Sequence, residues 1–262
     1  MPKTHGTAAA KIVRLLEALS DADTSARDGL TVAELSRALG REKSVVSRQL
    51  RPLVELGIVE RGVDGRHTVG WRLFAVAARA GDQRLLLLAP PVMRRLTQLT
   101  EESVHLSVRR GSEVFTILTE SPNRTVEAVG WIGRTSPLSA TSSGRALLFD
   151  HTDTELTGLL RDGFEVGSGP NAPRDVPDLI RRVARARRDG YALVLDEFGD
   201  DLAAAAAPVR DGCGRIVAAL NVRAPSYRLQ DQLDEVGRKV KGAALHLSRS
   251  LTRPVSTTDH EL

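Results

Sequence analysis

The sequence contains a single cysteine, Cys213, among its 262 residues. One cysteine cannot form an internal disulfide bond or build a cysteine-ligated metal cluster. Cys213 lies in Asp-Gly-Cys-Gly, a composition typical of turns, and we therefore interpret it as a turn residue rather than a nucleophile. The six histidines are scattered without the spacing of metal ligands, so the sequence predicts no metal site.

Long hydrophobic runs and cofactor motifs are also missing from the sequence. The longest apolar run, residues 85–93, contains two prolines and falls short of the roughly 20 residues that a membrane-spanning helix needs. The amino-terminal segment is amphipathic and lacks the features of a secretory signal. There is no phosphate-binding glycine loop, dinucleotide fingerprint or G-x-S-x-G nucleophile motif. We therefore expect a cytoplasmic protein without a membrane anchor, cofactor or enzymatic activity.

The bulk composition is that of a folded protein and sets few other limits. Hydrophobic residues make up 41% and charged residues 27% of a chain long enough for one large domain or two modest ones. The formal net charge of +4 is compatible with nucleic acid binding but does not establish it, because many basic proteins bind none.

The most informative stretch is residues 31–70, where local patterns predict helix, turn, helix and β-hairpin. Thr31 and Glu34 have the spacing of a capping box at a helix start. The second helix is expected from about Lys43 to Leu56, and Asp64-Gly65 is a strong hairpin signal. An apolar stripe predicts a further helix before them, marked by Ile12, Leu15, Leu16 and Leu19. This order predicts a winged helix-turn-helix, a fold that inserts its second motif helix into a DNA groove.

The second motif helix presents small hydroxyls and long cations opposite its apolar stripe. For the helix alone, this pattern fits DNA contact and an ordinary solvated face equally well, and the basic hairpin that follows favours DNA. Pro52 lies inside the helix and is expected to kink or shorten it. The predicted DNA-binding residues are Lys43, Ser44, Ser47, Arg48 and Arg51 on the helix, and Arg61 and Arg66 on the hairpin.

The sequence beyond the hairpin predicts an α+β domain, in which helices bracket a mainly antiparallel sheet. The predicted strands are residues 104–108, 114–118, 126–132, 203–209 and 216–222. The predicted helices are residues 71–80, 84–100 with an interruption at Pro90-Pro91, 142–149, 179–188, and a closing helix marked by Leu229 to Leu247. The predicted divisions are a DNA-binding domain at 8–70, a linker helix at 71–83, a second domain at 84–250 and a disordered tail at 251–262.

Several segments resemble the IclR family of bacterial transcription regulators, and the resemblance covers nearly the whole chain. In the first part it lies in THGTAAAKIVRLLEAL and LTVAELSRALGREKSVVSRQL. In the second part it lies in LTEESVHLSV, GRTSPLSATSSGRALL and RDGYALVLDEFGDDLAAAAAPVRDGCGRIVAALNVRAP. The segment SRQLRPLVELGIVER is also similar to MarR-type regulators, but the long second domain argues against that family.

The resemblance implies a GAF-like effector domain that binds a small organic acid, in a homodimer or dimer of dimers that binds double-stranded operator DNA. It implies a ligand-covering loop at residues 137–144 and places Ala204 where the family often has cysteine. Arg223 has the geometry to hold a carboxylate through two parallel hydrogen bonds, and the alanines of 203–207 leave room for a ligand larger than a three-carbon acid. The implied effector-binding residues are Ser142, Ser143, Ala204, Asn221 and Arg223.

Other interpretations compete with the ligand-responsive regulator. Arg223 can be a surface arginine, with the alanines serving only tight packing. A hydrolase would use Ser142 or Ser143 with His105 or His151, but no triad order or oxyanion motif supports it. An architectural DNA-binding protein would have no ligand pocket. The basic run at residues 181–188 is expected to be the solvated face of a helix rather than a nucleic acid site.

Overall fold

The chain folds as two units, Met1–Gln83 and Arg84–Leu262, each with its own hydrophobic core. They are seen in a computed structural model that describes residues 7–20, 29–77, 83–122, 131–161 and 164–252. Along those residues, no helix is both long and apolar enough to cross a membrane.

The first unit has the predicted order of helix, helix, helix and hairpin. Its elements are α1 (Ala8–Ser20), α2 (Val32–Leu39), α3 (Lys43–Glu55), β1 (Val59–Arg61), β2 (His67–Val69) and α4 (Trp71–Ala77). The strands β1 and β2 are antiparallel, with Val59 opposite Val69. The side chains of Leu15, Leu35 and Val46 are fully buried in a shared core. These elements confirm the predicted winged helix-turn-helix.

The start and end of α2 are fixed by local chemistry. The Thr31 amide donates to Glu34 Oε2 at 2.7 Å, and the Glu34 amide donates to Thr31 Oγ1 at 3.3 Å. This reciprocal pair confirms the predicted capping box. At the other end Gly40 has a φ of 61°, a left-handed conformation in which glycine carries no Cβ penalty.

Pro52 does not shorten α3, which runs on to Glu55. Proline removes one helical amide, so a kink or an earlier end was the expected outcome. Leu50 and Leu53 are 2% and 4% exposed, and burying them in the core holds the turns on both sides of the proline. The Leu56 amide then donates to the Pro52 carbonyl at 3.0 Å and closes the helix.

The second unit has an antiparallel sheet with helices on both faces. Its helices are α5 (Gln83–Thr100), α6 (Ser142–Leu147), α7 (Asp153–Leu160), α8 (Val176–Asp189), α9 (Ser226–Leu229) and α10 (Leu233–Thr252). Its strands are β3 (Ser103–Arg110), β4 (Glu113–Glu120), β5 (Thr135–Pro137), β6 (Ala192–Leu195), β7 (Leu202–Arg210) and β8 (Ile216–Pro225). The six strands lie in the order β5-β4-β3-β8-β7-β6. The predicted α+β class is confirmed, and the architecture agrees with the expected GAF-like domain.

The alanine run of β7 serves both faces of the sheet. Ala203, Ala205 and Ala207 pack in the core that includes α5 and α10, while Ala206 packs in the core that includes α6, α7 and α8. Successive strand residues point to opposite faces, so only alternate alanines are available to any one site. The expectation that the whole run opens space for a ligand is therefore wrong.

The helix α5 continues through Pro90 and Pro91, so the predicted interruption is wrong. The two prolines remove the amides that would bond to the carbonyls of Leu86 and Leu87. Those residues are 39% and 76% exposed, on the side of the helix that water reaches. The opposite stripe, with Ala89 and other apolar residues fully buried, packs on the sheet and keeps the helix continuous.

The predicted strand at residues 126–132 lies mostly outside the described residues, and Trp131 and Ile132 are not in a strand. The edge of the sheet is instead formed by β5, where Thr135 lies opposite Phe115 of β4. The helix α7 and the strand β6 were not predicted, and Leu229 belongs to the short α9 rather than to α10. The end of the expected linker and the tail from residue 253 lie outside the described residues.

Candidate functional sites

The outer face of α3 carries the hydroxyls and cations that the sequence singled out. Lys43, Ser44, Ser47, Arg48 and Arg51 are all exposed, while Val46 and Leu50 on the inner face are buried. Arg51 forms an ion pair with Glu55 at 3.1 Å, in which both side chains are more than half exposed. An exposed pair of this kind contributes little stability, so Arg51 can exchange this partner for a phosphate at small cost.

The two hairpin arginines differ in their surroundings. Arg61 is exposed on β1. Arg66 donates from Nη1 to the Gly29 carbonyl at 2.9 Å and lies 3.3 Å from Glu34 Oε2. Hydrogen bonds from Thr31, and to a smaller degree the charge of Arg66, lower the pKa of Glu34 from its ordinary value. Arg66 therefore ties the hairpin to the start of α2, and any phosphate contact would be a second role for it.

A pocket of the second unit brings together all five residues that the family resemblance implied. The cavity has a volume of about 50 Å³, which is room for a few water molecules or a small ligand. Its polar wall consists of His105, Ser107, Thr116, Ser136, Thr141, Ser142, Ser143, Asn221 and Arg223. Its apolar wall consists of Val114, Trp131, Ala140, Val194, Phe198, Leu202 and Ala204. Binding of an effector by these residues remains a prediction.

The loop at residues 137–144 is held tightly against the start of α6. Thr141 Oγ1 donates to the Pro137 carbonyl at 2.9 Å and accepts from the Gly144 amide at 3.0 Å. A Cβ on Gly144 would lie only 2.1 Å from the Leu138 carbonyl oxygen. Only glycine at position 144 therefore lets the backbone of Leu138 approach α6 this closely. Ser142 and Ser143 are thereby buried at the pocket, 1% and 5% exposed.

A hydrogen bond joins the loop to the sheet inside the pocket. Asn221 Nδ2 donates to Ser142 Oγ at 3.0 Å, and both residues are buried. The hydrolase interpretation needs a histidine at that hydroxyl, whereas the partner is an amide. His151, the second candidate base, does not line the pocket. The geometry of the described residues therefore gives no support to a serine–histidine pair.

Arg223 faces the pocket rather than bulk solvent. Its guanidinium carbon lies 3.8 Å from the centre of the Trp131 ring, a stacked cation–π contact. The Trp131 ring also meets the imidazole of His105 edge-on, with the ring centres 6.4 Å apart. The interpretation of Arg223 as a plain surface arginine is therefore not supported.

His105 is buried in the pocket wall with one ring nitrogen engaged. Nδ1 lies 3.0 Å from Thr119 Oγ1, while Nε2 is buried and has no hydrogen-bond partner among the described residues. Burial, and then the charge of Arg223, lower the pKa of His105 to about 3. The imidazole is therefore neutral at physiological pH. From the sequence alone, His105 was a candidate only as the base of the hydrolase alternative.

A buried ion pair anchors α6, and no pattern in the sequence indicated it. Arg145 pairs with Glu197 and donates to the Leu193 carbonyl at 2.8 Å, while Arg182 lies 3.1 Å from Glu197. Burial raises the pKa of Glu197, and the charges of Arg145 and then Arg182 oppose that shift. Two arginines around one carboxylate favour the charged pair. Arg145 and Glu197 are 52 positions apart, so no local pattern could have linked them.

Comparison with known proteins gives matches along nearly the whole chain. The profile of the IclR helix-turn-helix domain matches residues 8–62, and that of the bacterial transcriptional regulator IclR C-terminal domain matches residues 78–249. The transcriptional repressor AllR of Escherichia coli K12 is 30% identical over 225 residues, covering 84% of this chain and 83% of AllR. The regulator KipR of Bacillus subtilis is 26% identical over 227 residues, covering 86% of this chain and 91% of KipR.

Solved structures have the same fold. The Thermotoga maritima IclR structure has a TM-score of 0.69 at 22% identity, covering 94% of this chain and 98% of that one. An IclR homologue from Microbacterium hydrocarbonoxydans, solved in complex with 4-hydroxybenzoate, has a TM-score of 0.66 at 28% identity, covering 93% of this chain and 98% of that one. These matches favour an IclR-type protein over the MarR-type alternative.

Proposed function

Because this chain belongs to the IclR family of bacterial transcriptional regulators, we propose that it is a ligand-responsive regulator that couples an organic acid in the second unit to operator binding by the first. The observation that carries this proposal is the convergence of Arg223, Asn221 and the serines of α6 on one pocket. No chemical step is assigned to them, in keeping with relatives that are named as transcriptional regulators and repressors.

The DNA-binding half of the proposal rests on the face of α3 and the adjoining hairpin. Short hydroxyls at Ser44 and Ser47 beside the long cation of Arg48 suit contact with base edges in the major groove. Lys43 and Arg51 flank them and suit contact with phosphates, as does the exposed Arg61 of the hairpin. A homodimer, or a dimer of dimers, would present this face twice and favour a pseudo-palindromic operator.

The effector half rests on the polar wall of the pocket. The Arg223 guanidinium offers paired donors to a carboxylate, and the Asn221 amide can both donate and accept. The related structure with bound 4-hydroxybenzoate supports an organic acid as the ligand class. The narrowness of the pocket favours either a small acid or a larger one that displaces the Trp131 ring from Arg223.

We infer that the acid acts by shifting a population between DNA-competent and DNA-incompetent oligomers. A ligand can shift such an equilibrium only through its different affinity for the two states. The helix α4 follows the hairpin directly and is the segment that we assign to the linker. If the DNA-competent state is the one that closes the loop over the ligand, the acid recruits the protein to the operator. If the DNA-incompetent state closes the loop, the acid releases the protein from it.

A thermal-shift screen of the full chain with aliphatic, aromatic and sugar acids tests this function. A bound acid stabilises the folded protein by about 2.7 kcal/mol at one hundred times its Kd. We expect at least one acid to stabilise the wild type, to leave Arg223→Gln unchanged, and to be recovered chemically intact. The matched control is Arg215→Gln, which changes an arginine that is 78% exposed at the β7–β8 turn. Equal stabilisation of wild type and Arg223→Gln would contradict the proposed site.

A further inference from the structure

Among the described residues that line the pocket, His105 has a buried ring nitrogen whose hydrogen-bonding capacity is unused. Nε2 of His105 has no hydrogen-bond partner in the part of the chain that the structure describes, and the residue is only 4% exposed. Among the described atoms, it is the one buried side-chain nitrogen or oxygen of the pocket wall that has no hydrogen-bond partner. Leaving such a group unsatisfied is unfavourable, so a buried nitrogen without a described partner at a cavity calls for an explanation.

Four of the neighbouring polar groups of the wall are already paired with each other. Ser107 Oγ lies 3.3 Å from Thr116 Oγ1, and Ser142 Oγ accepts from Asn221 at 3.0 Å. His105 differs because Thr119 engages only Nδ1. In the β3–β8 pairing His105 lies directly opposite Asn221, so the two side chains are on the same face of the sheet. With Nδ1 engaged, Nε2 is the nitrogen left for a ligand.

We propose that His105 determines ligand specificity, its Nε2 forming a hydrogen bond with a second polar group of the acid whose carboxylate is held by Arg223. The ligand class is then a carboxylic acid that also carries a hydroxyl or carbonyl group, in preference to the same acid without it. This inference rests on the proposed function, because it assumes an acid at Arg223.

The electrostatics of the pocket are consistent with Arg223 binding the carboxylate and His105 binding the second polar group. Burial and the nearby Arg223 hold the pKa of His105 near 3, so the ring is uncharged and does not compete with Arg223 for the carboxylate. A neutral imidazole presents either one N–H or one lone pair at Nε2, depending on the direction of the Thr119 hydroxyl. A hydroxyl group on the ligand can satisfy either form, because it both donates and accepts.

Titration of matched acids against a single-tryptophan protein tests the inference. The chain has two tryptophans, and Trp71 is 74% exposed in the first unit, so Trp71→Phe leaves Trp131 as the reporter beside Arg223. The probes are benzoate against 4-hydroxybenzoate and propionate against lactate. In the Trp71→Phe protein we expect the hydroxylated member of at least one pair to bind about tenfold more tightly, as one net hydrogen bond provides.

Adding His105→Leu is expected to bring that ratio to within about twofold and to change the Kd of the unsubstituted acid by less than about threefold. His105→Gln, which retains a donor and an acceptor, is expected to keep part of the preference. The matched control is His246→Leu, at an exposed histidine of α10 that does not line the pocket, and the ratio is expected to be unchanged.

Circular dichroism and thermal unfolding check that each variant folds. If His105→Leu does not fold, Thr119→Val decides the question, because freeing Nδ1 is expected to reduce the preference without removing the ring. A preference that survives both variants, or no preference in the wild-type pocket, overturns this inference while acid binding through Arg223 still stands. If no acid binds at all, the proposed function fails, and this inference fails with it.

Discussion

At the scale of single residues, the cations around α3 differ in how strongly the protein already engages them. Arg48 is exposed on the outer face of α3 and Arg61 on the hairpin, whereas Arg66 is tied to Gly29 and Glu34. Arg48 is also flanked by the small hydroxyl of Ser47, which leaves space for a base edge to approach. We therefore expect Arg48 and Arg61 to contribute to DNA binding in different ways.

Arg48→Ala is expected to weaken operator binding by about 1–3 kcal/mol and to relax specificity at one base pair.

Arg61→Ala is expected to weaken binding to all sequences alike and to lower the salt slope by about 1, because a phosphate contact carries no sequence information. Fluorescence anisotropy with operator and scrambled duplexes at several salt concentrations measures both effects. Unchanged operator affinity in Arg48→Ala, or a sequence-selective loss in Arg61→Ala, would contradict these roles.

The buried imidazole of His105 is expected to make the stability of the second unit pH-dependent. In the unfolded chain the ring takes up a proton near its ordinary pKa of 6.5, whereas the folded pKa is about 3. Between these values the unfolded state binds one more proton, so stability falls as the pH falls, by about 1.4 kcal/mol per pH unit. Above pH 6.5 the contribution disappears.

Urea unfolding at pH 7, 6, 5 and 4 measures this dependence as the difference between wild type and His105→Gln. The difference is expected to shift in favour of the variant as the pH falls, since the variant has no proton to take up at that position. His246→Gln, at an exposed position of α10, serves as the control. Parallel pH profiles for wild type and His105→Gln would refute the prediction.

At the scale of elements, the stability of α6 depends on residues outside the helix that its side chains and its start bond to. It is six residues long, too short to be stable alone, and all six of its residues are buried. Thr141 caps its start, and Arg145 ties it to Glu197 and to the Leu193 carbonyl of β6. The position of Ser142 and Ser143 at the pocket therefore depends on a buried charged pair that anchors the same helix.

Glu197→Gln is expected to destabilise the second unit by about 3–5 kcal/mol, because it leaves the Arg145 charge buried without its partner. The matched control is Glu235→Gln on α10, which breaks a more exposed pair with Lys239 and is expected to cost far less stability. Chemical denaturation followed by circular dichroism compares the two. A similar small loss in both variants would show that the buried pair does not hold α6.

The helix α5 illustrates how an element can contradict its own local pattern. Pro90-Pro91 predicts an interruption, and the structure has none, because the buried stripe from Leu85 to Leu96 packs along the sheet. The capping box of α2 shows the opposite case, where two residues three positions apart contain the whole interaction. Local signals are therefore reliable when both partners are close in sequence, and packing overrides them when it acts on a whole face.

At the scale of the whole molecule, the separate cores of the two units are expected to let the two proposed binding functions be changed independently. The first unit has its own buried cluster, and the described residues that line the pocket all belong to the second unit. Arg223→Gln is therefore expected to abolish the acid response while leaving operator affinity within about twofold of wild type. Anisotropy titrations of operator with and without the acid found in the screen measure this. A large loss of operator affinity in Arg223→Gln without acid would contradict that independence.

The sequence by itself determined the helix-turn-helix and its hairpin, because caps, turns and amphipathic stripes act over a few residues. It also determined the α+β class of the second unit through its alternating strands. Family resemblance supplied Ser142, Ser143, Ala204, Asn221 and Arg223 as a set, and the structure brings them to one pocket.

Only the tertiary structure decided what completes that pocket. His105 and Trp131 meet Arg223 there from different segments, and Arg145 reaches Glu197 across 52 positions. Only the structure divided the alanines of β7 between two cores, because the face on which a strand residue lies depends on its partners in the sheet. Contacts between distant segments are set by sheet register and helix packing, which no local pattern of residues encodes.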